Sequence, residues 1–179
     1  MAEGATRLLA TNGMAGTTFA EVLARTGAPR GSIYHHFPGG KSELIHAALD
    51  LADTFGKEAI ESVRGRPATE VVTTFIEQWR ALLVGFDLRA GCAVVAVAVS
   101  TNDPELREHA GAVFREWTEL LAGLLIDGGI DAQSAPALAA LVISATEGAV
   151  AVSRAEGDIK SFELVATQLL ELVAARALP

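Results

Sequence analysis

The sequence predicts an all-α protein: a small three-helix head at the N-terminus, then an antiparallel helical bundle, about nine helices in all. Three observations lead there. Half of the 179 residues are apolar, mostly Ala, Val and Leu with only 6% aromatic, a mix that favours packed helices. Apolar residues recur at three- and four-residue spacing over long segments. Gly, Pro and Asn-Asp pairs interrupt those segments where caps and stops are needed. The length allows one large or two small domains with a substantial core.

Ala2 to Asn12 reads as the first helix, with Ala5, Leu8 and Leu9 inward and Gly13 ending it. Thr18-Phe19-Ala20-Glu21 is a capping box: the Thr18 hydroxyl can accept from the Glu21 N–H, and Glu21 can reach back. Phe19, Val22 and Leu23 give this second helix one apolar stripe. Thr26-Gly27-Ala28-Pro29 stops it, with Gly27 suited to a left-handed position. Pro29 opens a third, short helix to about Phe37. That helix is bare. Gly31 and Ser32 keep its leading face small, and Arg30, Tyr34, His35 and His36 surround it with donors and rings. A helix entering a major groove needs this profile. His36 and Phe37 are expected to pack inward.

Lys41 or Ser42 starts a long helix to about Arg64, with Leu44, Ile45, Ala48, Leu51, Ala52 and Phe55 as its inner stripe and Gly56 as a point of bending. Gly65-Arg66-Pro67 punctuates, and Pro67 begins a helix to about Phe86. Asp87 to Gly91 is a loop. The apolar run Cys92 to Thr101 fits a buried strand or a short buried helix equally by periodicity. With no partner strand in the chain, helix is the reading adopted. Asp103 and Pro104 form a cap and a first helical position, and the helix runs to about Asp127. Gly128-Gly129 closes it, and Asp131 caps the next, to about Glu156, which is apolar nearly all round. Gly157-Asp158 separates it from a last helix to about Arg176. Two apolar C-terminal helices joined by a short turn can pair with a second copy of themselves, through Leu141, Gly148, Phe162, Val165, Leu169 and Leu172.

The run Gly27-Ala28-Pro29-Arg30-Gly31-Ser32-Ile33-Tyr34-His35-His36-Phe37-Pro38-Gly39-Gly40-Lys41 resembles the helix-turn-helix of TetR-type transcriptional repressors. Their second motif helix commonly ends in Tyr-His-His-Phe or a similar run. The run looks like the LmrA/YxaF branch, which has Gly-Ala-Pro before that helix and one extra residue between Phe-Pro and the following Lys. The resemblance covers the head closely and the body by helix order and length. It implies a DNA-binding domain at 1–48 and a ligand-binding and dimerisation domain at 49–179. It further implies a homodimer on a (pseudo)palindromic operator, released by a small hydrophobic or aromatic inducer, flavonoid-like for this branch. Heads of this family usually begin their first helix several residues earlier, after a basic arm. The native start is therefore expected upstream of Met1, or the arm is absent.

On that resemblance, Arg30 can donate two bonds to a guanine edge, while Gly31 and Ser32 allow close approach. Tyr34 and His35 suit phosphates. Thr18 and Lys41 stand at helix starts, where N–H groups favour a phosphate. The plain alternative is a solvated polar face with two caps. Net charge is −8, but residues 1–50 carry four basic and four acidic side chains, so the acidity lies in the body. A neutral head on an acidic body fits contact with DNA at one end only.

Phe75, Trp79, Phe86, Phe114 and Trp117 can line a ligand pocket or simply fill the core; the two Trp fall in segments that line pockets in this family. Glu147 is a charge inside an apolar helix. It needs a donor, a ligand or solvent, at the dimer interface or in the pocket. Gly148 beside it permits close helix packing.

Other chemistry finds no support. Gly40-Lys41-Ser42 is not a P-loop, because position 35 is His where a Gly is required. Adjacent His35 and His36 point apart and cannot converge on one metal. Cys92, the single cysteine, sits in an apolar run and reads as a buried, inert thiol. The chain shows no nucleophile–base motif, no cofactor loop and no metal spacing, so neither enzyme activity nor a cofactor is expected. No signal peptide is read and the run Cys92 to Val99 is too short to span a bilayer, so the expectation is a cytoplasmic protein without a membrane partner. The remaining alternative is a helical small-molecule carrier or enzyme with a vestigial DNA-binding head.

Overall fold

Helix starts and stops follow the local capping chemistry in the computed structural model, which describes residues 1–177. Among the described residues there are nine helices and no strand: α1 (Ala2–Gly16), α2 (Phe19–Thr26), α3 (Arg30–His36), α4 (Lys41–Glu61), α5 (Ala68–Gly85), α6 (Ala93–Ser100), α7 (Pro104–Asp127), α8 (Ala135–Glu156) and α9 (Lys160–Ala174). The all-α expectation holds, and so does helix rather than strand for the Val-rich run. Gly13 breaks α1 where expected, at φ 69° and ψ −177°, and one further turn follows it. Asp103 caps α7 by accepting from Glu105 N at 2.9 Å.

Several boundaries move. Pro67 and Pro29 both sit at N-caps with extended ψ, one position before the helix proper. α4 stops at Glu61, because residues 62–65 form turns that end at Gly65, whose φ is 77°. Asp131 does not cap α8 directly. Its carboxylate accepts from the N–H groups of Gln133 and Ser134, each at 3.1 Å, and organises a turn from which α8 begins at Ala135. Gly56 does not interrupt α4. A Cβ there would lie 2.4 Å from the Trp117 ring, so the position is bare because an indole packs against the helix backbone.

Packing divides the chain into two compact units, one of Met1–Phe55 with Cys92–Phe114, the other of Gly56–Gly91 with the chain from Arg115 onward. These units do not coincide with a cut after residue 48. In the first, α1 packs on α6 and on α2. Ala5, Leu8, Leu9, Val22, Ile33, Leu44, Ile45, Ala48 and Leu49 are its core, joined by Val94 and Val97 of α6. The α6 sequence is apolar on every side, so burying it completes a core that three short helices alone leave thin.

In the second unit α5, α8 and α9 pack on one another. Their core holds Val72, Ile76 and Leu83 of α5, Leu138, Val142 and Val150 of α8, and Phe162, Ala166, Leu169 and Val173 of α9. The α9 residues fall at helical spacing, and each large one contributes about 1.5–3 kcal/mol of burial. Arg80 of α5 grips Glu163 of α9 with two bonds, Nε–Oε1 at 2.6 Å and Nη2–Oε2 at 2.7 Å. Arg80 also pairs with Glu77 and lies over the Phe162 ring. The guanidinium holds the Glu163 carboxyl below its ordinary range despite partial burial. α8 is long and apolar enough by composition to cross a membrane, yet half of that stretch is buried in the protein's own core.

Candidate nucleic-acid interface

Two buried residues set the geometry of the head. Val22 on α2 and Ile33 on α3 are fully enclosed, so each helix has one side fixed inward. The Thr18 hydroxyl accepts from Glu21 N at 3.2 Å, and Gly27 closes α2 in the left-handed conformation at φ 67°. That corner turns the chain so that α3 starts three residues later.

What α3 leaves outside is a set of donors. Arg30, Gly31, Tyr34, His35 and His36 are exposed, with Tyr34 at 69%. The expectation that His36 packs inward is therefore wrong. Ile33 takes the inward position, and His36 lies three residues away, meeting the neighbouring His35 ring edge-on instead. Phe37 is half-buried. Phe19 meets Tyr34 edge to face at 5.9 Å between centroids, which steadies the phenol while its hydroxyl end stays out. Gly31 has no heavy atom within 4 Å of where a Cβ would stand. No neighbour beyond its own helix requires this glycine, although Gly favours a helix less than Ala does.

Other expected contacts are partly engaged. Ser32 is half-buried and spends its hydroxyl proton on Pro29 O at 2.7 Å, leaving only acceptor capacity. Lys41 is exposed and bonds Met14 O at 2.9 Å, tying the start of α4 to the end of α1. Its ammonium keeps two donors. Arg7 pairs with Glu3, whereas among the described residues Arg25 and Arg30 carry no ion pair.

These features match a known family on both halves of the chain. The family described as "Bacterial regulatory proteins, tetR family" matches residues 2–48, and "Transcriptional regulator LmrA/YxaF-like, C-terminal domain" matches residues 68–168. The chain belongs to the TetR family. It is similar to the HTH-type transcriptional regulator Rv0196 of Mycobacterium tuberculosis, 36% identical over 98% of this chain and 93% of that one. The HTH-type transcriptional regulator LmrA of Bacillus subtilis is 27% identical over 83% of this chain and 81% of its own. The regulatory protein TetR of Rhodobacter sphaeroides shares the fold, with a TM-score of 0.86 at 18% identity over 95% of each chain. As a TetR-family protein this is a DNA-binding transcriptional regulator, and the family is one of regulators rather than of enzymes.

Beyond the head, the expected site residues do not form one cluster. In the second unit Phe75 and Trp79 are half-buried on α5, and Phe86 is exposed at its C-cap. Trp117 is buried against Gly56, its plain packing role. Phe114 is half-buried and belongs to the first unit. Glu147 is half-buried rather than enclosed. Its neighbour Thr146 is the buried polar group that the sequence reading missed: it is 1% exposed, and its Oγ1 has no hydrogen-bond partner among the described residues. Its signal in the sequence is a hydroxyl in mid-helix among Ile143, Ala149 and Val150. Cys92, half-buried at the N-cap of α6, is less enclosed than its apolar run suggests.

For the α8–α9 pair, Leu141 and Gly148 are exposed, and Val165 and Leu172 are half-buried. Phe162 and Leu169 are corrected. At 1% and 4% exposure they face their own core. The exposed apolar residues of these helices are Leu141, Val152 and Leu164.

Proposed function

We propose that this regulator is a ligand-responsive repressor that binds a (pseudo)palindromic operator as a dimer and lets go when a small amphipathic or aromatic molecule binds its body. The carrying observation is the exposed donor face of α3, whose Arg30 has no ion pair among the described residues and whose Gly31 has no neighbour of its own. Residues 1–48 act as the DNA-binding domain and 49–179 as the ligand-binding and dimerisation domain. Arg30 reads a base edge, Gly31 and Ser32 permit the approach, and Thr18, Tyr34, His35 and Lys41 hold phosphates.

The dimer forms through the outer faces of α8 and α9, with Leu141, Gly148, Val152, Leu164, Val165 and Leu172. Two heads then engage half-sites about 34–36 Å apart. α4 runs without a break from Lys41 to Glu61, so it is the covalent route by which ligand in the body reaches the head. The ligand changes the equilibrium only if it prefers the released conformation. Within the second unit the ligand contacts are drawn from the half-buried Phe75 and Trp79 of α5 and Glu147 of α8, and flavonoid-like inducers fit that aromatic character. The setting is the cytoplasm, where the chain's single cysteine stays a thiol.

The test is fluorescence anisotropy of labelled DNA from upstream of the protein's own gene, with rising salt and then with a panel of aromatic ligands. Tight binding that weakens with log salt at about −0.9 per phosphate neutralised, and is reversed by a ligand, supports the repressor. The Arg30→Ala variant should bind about 5- to 150-fold more weakly. Salt-insensitive or absent binding rejects the proposal.

A further inference from the structure

Along one face of α4, Ser42, His46 and Asp50 stand four residues apart, and each meets the first turns of α7 within the same packing unit. Ser42 Oγ donates to Asp103 Oδ2 at 3.0 Å. His46 Nδ1 lies 2.7 Å from His109 Nδ1. His109 Nε2 lies 3.1 Å from Asp50 Oδ1. The two imidazole planes are 18° apart and their centroids 5.0 Å apart. That separation is the N···N distance plus the two ring radii, so the rings meet edge to edge in nearly one plane. A nitrogen of each ring is aimed straight at the other.

Such a contact holds one proton. The Asp50 carboxylate fixes a proton on His109 Nε2, so neutral His109 offers Nδ1 as an acceptor. His46 Nδ1 then supplies the bridging proton. A first added proton goes to the outer nitrogen of His46 and leaves the bridge intact. A second places N–H groups on both facing nitrogens, 2.7 Å apart, and the two positive rings repel.

The charged surroundings are acidic. Asp50 touches His109, and Asp103 is within Coulombic reach of His46. Glu43 and Asp53 lie on the flanking turns of α4, and Glu105 and Glu108 on those of α7. Arg107 is bound to Thr101 O, and α1 contributes the mutually paired Glu3 and Arg7. α6 contributes no titratable side chain other than the Cys92 thiol at its cap. The Glu105 N–H and the Ser42 hydroxyl hold Asp103 below its ordinary range, so it stays charged on mild acidification.

We propose that the His46–His109 contact is a proton-operated latch: one bridging proton holds the first turns of α4 and α7 together, and protonation of both rings releases them. Imidazole is the side chain suited to such a switch, and acidification supplies the second proton. Opening frees the turns of α4 that directly follow the helix-turn-helix. The proposal stands on α4 and α7 alone and does not depend on the operator reading.

The test follows histidine C2–H resonances and thermal unfolding of the full chain from about pH 7.5 to pH 5, in the wild type, His46→Asn and His46→Ala. His46→Asn keeps an amide donor for His109 Nδ1 without a second titrating ring. In the wild type the two ring resonances should move together, each reporting both protonation steps. The wild type should lose about 2–4 °C more of its unfolding midpoint on acidification than His46→Asn. His46→Ala, with no donor, should show at pH 7.5 the α4 amide shifts that the wild type reaches only in acid. Rings that titrate independently, or equal midpoint losses in wild type and His46→Asn, overturn the latch. Those two measurements decide it even if His46→Ala fails to fold.

Discussion

Gly31 in the first turn of α3 and Gly148 within α8 are both exposed helical glycines, and a Cβ on either would meet no described heavy atom within 4 Å beyond its chain neighbours and its own helix backbone. Gly56 is different, because Trp117 occupies its space. A helical glycine that its own chain does not use is kept for something outside the chain or for nothing. The surroundings separate the two cases. Around Gly31 stand Arg30, Tyr34 and His35, donors suited to phosphates and base edges. Around Gly148 stand Leu141, Ser144, Ala151 and Val152, a small and mostly apolar surface suited to another helix. On the proposed function, the same missing side chain serves nucleic acid in one place and protein in the other.

That contrast can be broken most directly at α8. Leu141→Glu should abolish the dimer in sedimentation and lower operator affinity about 100-fold or more, because the two half-sites are no longer linked. A surviving dimer places the interface elsewhere. Leu169→Ala should act on the inward side. It should cost the protomer about 2–5 kcal/mol in urea unfolding, measured where monomer is observed, because a core leucine leaves a cavity. If it affects only dimerisation, the burial assignment of α9 is wrong. The sharpest comparison pairs Gly31→Ala with Gly148→Ala. Gly148→Ala should gain about 0.5–1 kcal/mol of intrinsic helix stability, and Gly31→Ala, in the first turn of a short helix, less. The first should weaken operator binding without touching the dimer, and the second should weaken the dimer. Operator titration and sedimentation on both variants test the separation.

The smallest effect lies at the α5–α9 contact. Glu163→Gln should lower stability at pH 7 by less than about 1 kcal/mol, since the side chain is 41% exposed and the pair is screened. Its ionised form is favoured in the folded chain, so the contribution is present above the ordinary value of 4.5 and disappears as pH falls below it. The stability gap between wild type and variant should therefore close below pH 4.5 in unfolding titrations.

The head was legible because its code is local. Thr18, Gly27 and Pro29 mark the turn, and a single buried residue, Ile33, sets the phase of a seven-residue helix. His36 falls outside instead of inside because on so short a helix one position decides which side faces the core. The α8–α9 region was legible as helices but not as faces. When a helix is apolar nearly all round, periodicity cannot say which side meets its own core, and Phe162 and Leu169 were assigned outward for that reason. The latch between His46 and His109 was out of reach, because 63 residues separate its two halves and only tertiary packing joins them.

The membership of α6 in the first unit has a consequence for the order of synthesis. Met1–Phe55 is made before the rest of its own compact unit, which also takes Cys92–Phe114. At about 5–20 residues per second, the sixty or so residues from the end of α4's first-unit portion to Phe114 take several seconds to be made. Through that interval the face of α1 that meets α6 has no cover. The DNA-binding segment of this regulator is therefore made well before the residues that complete its own core.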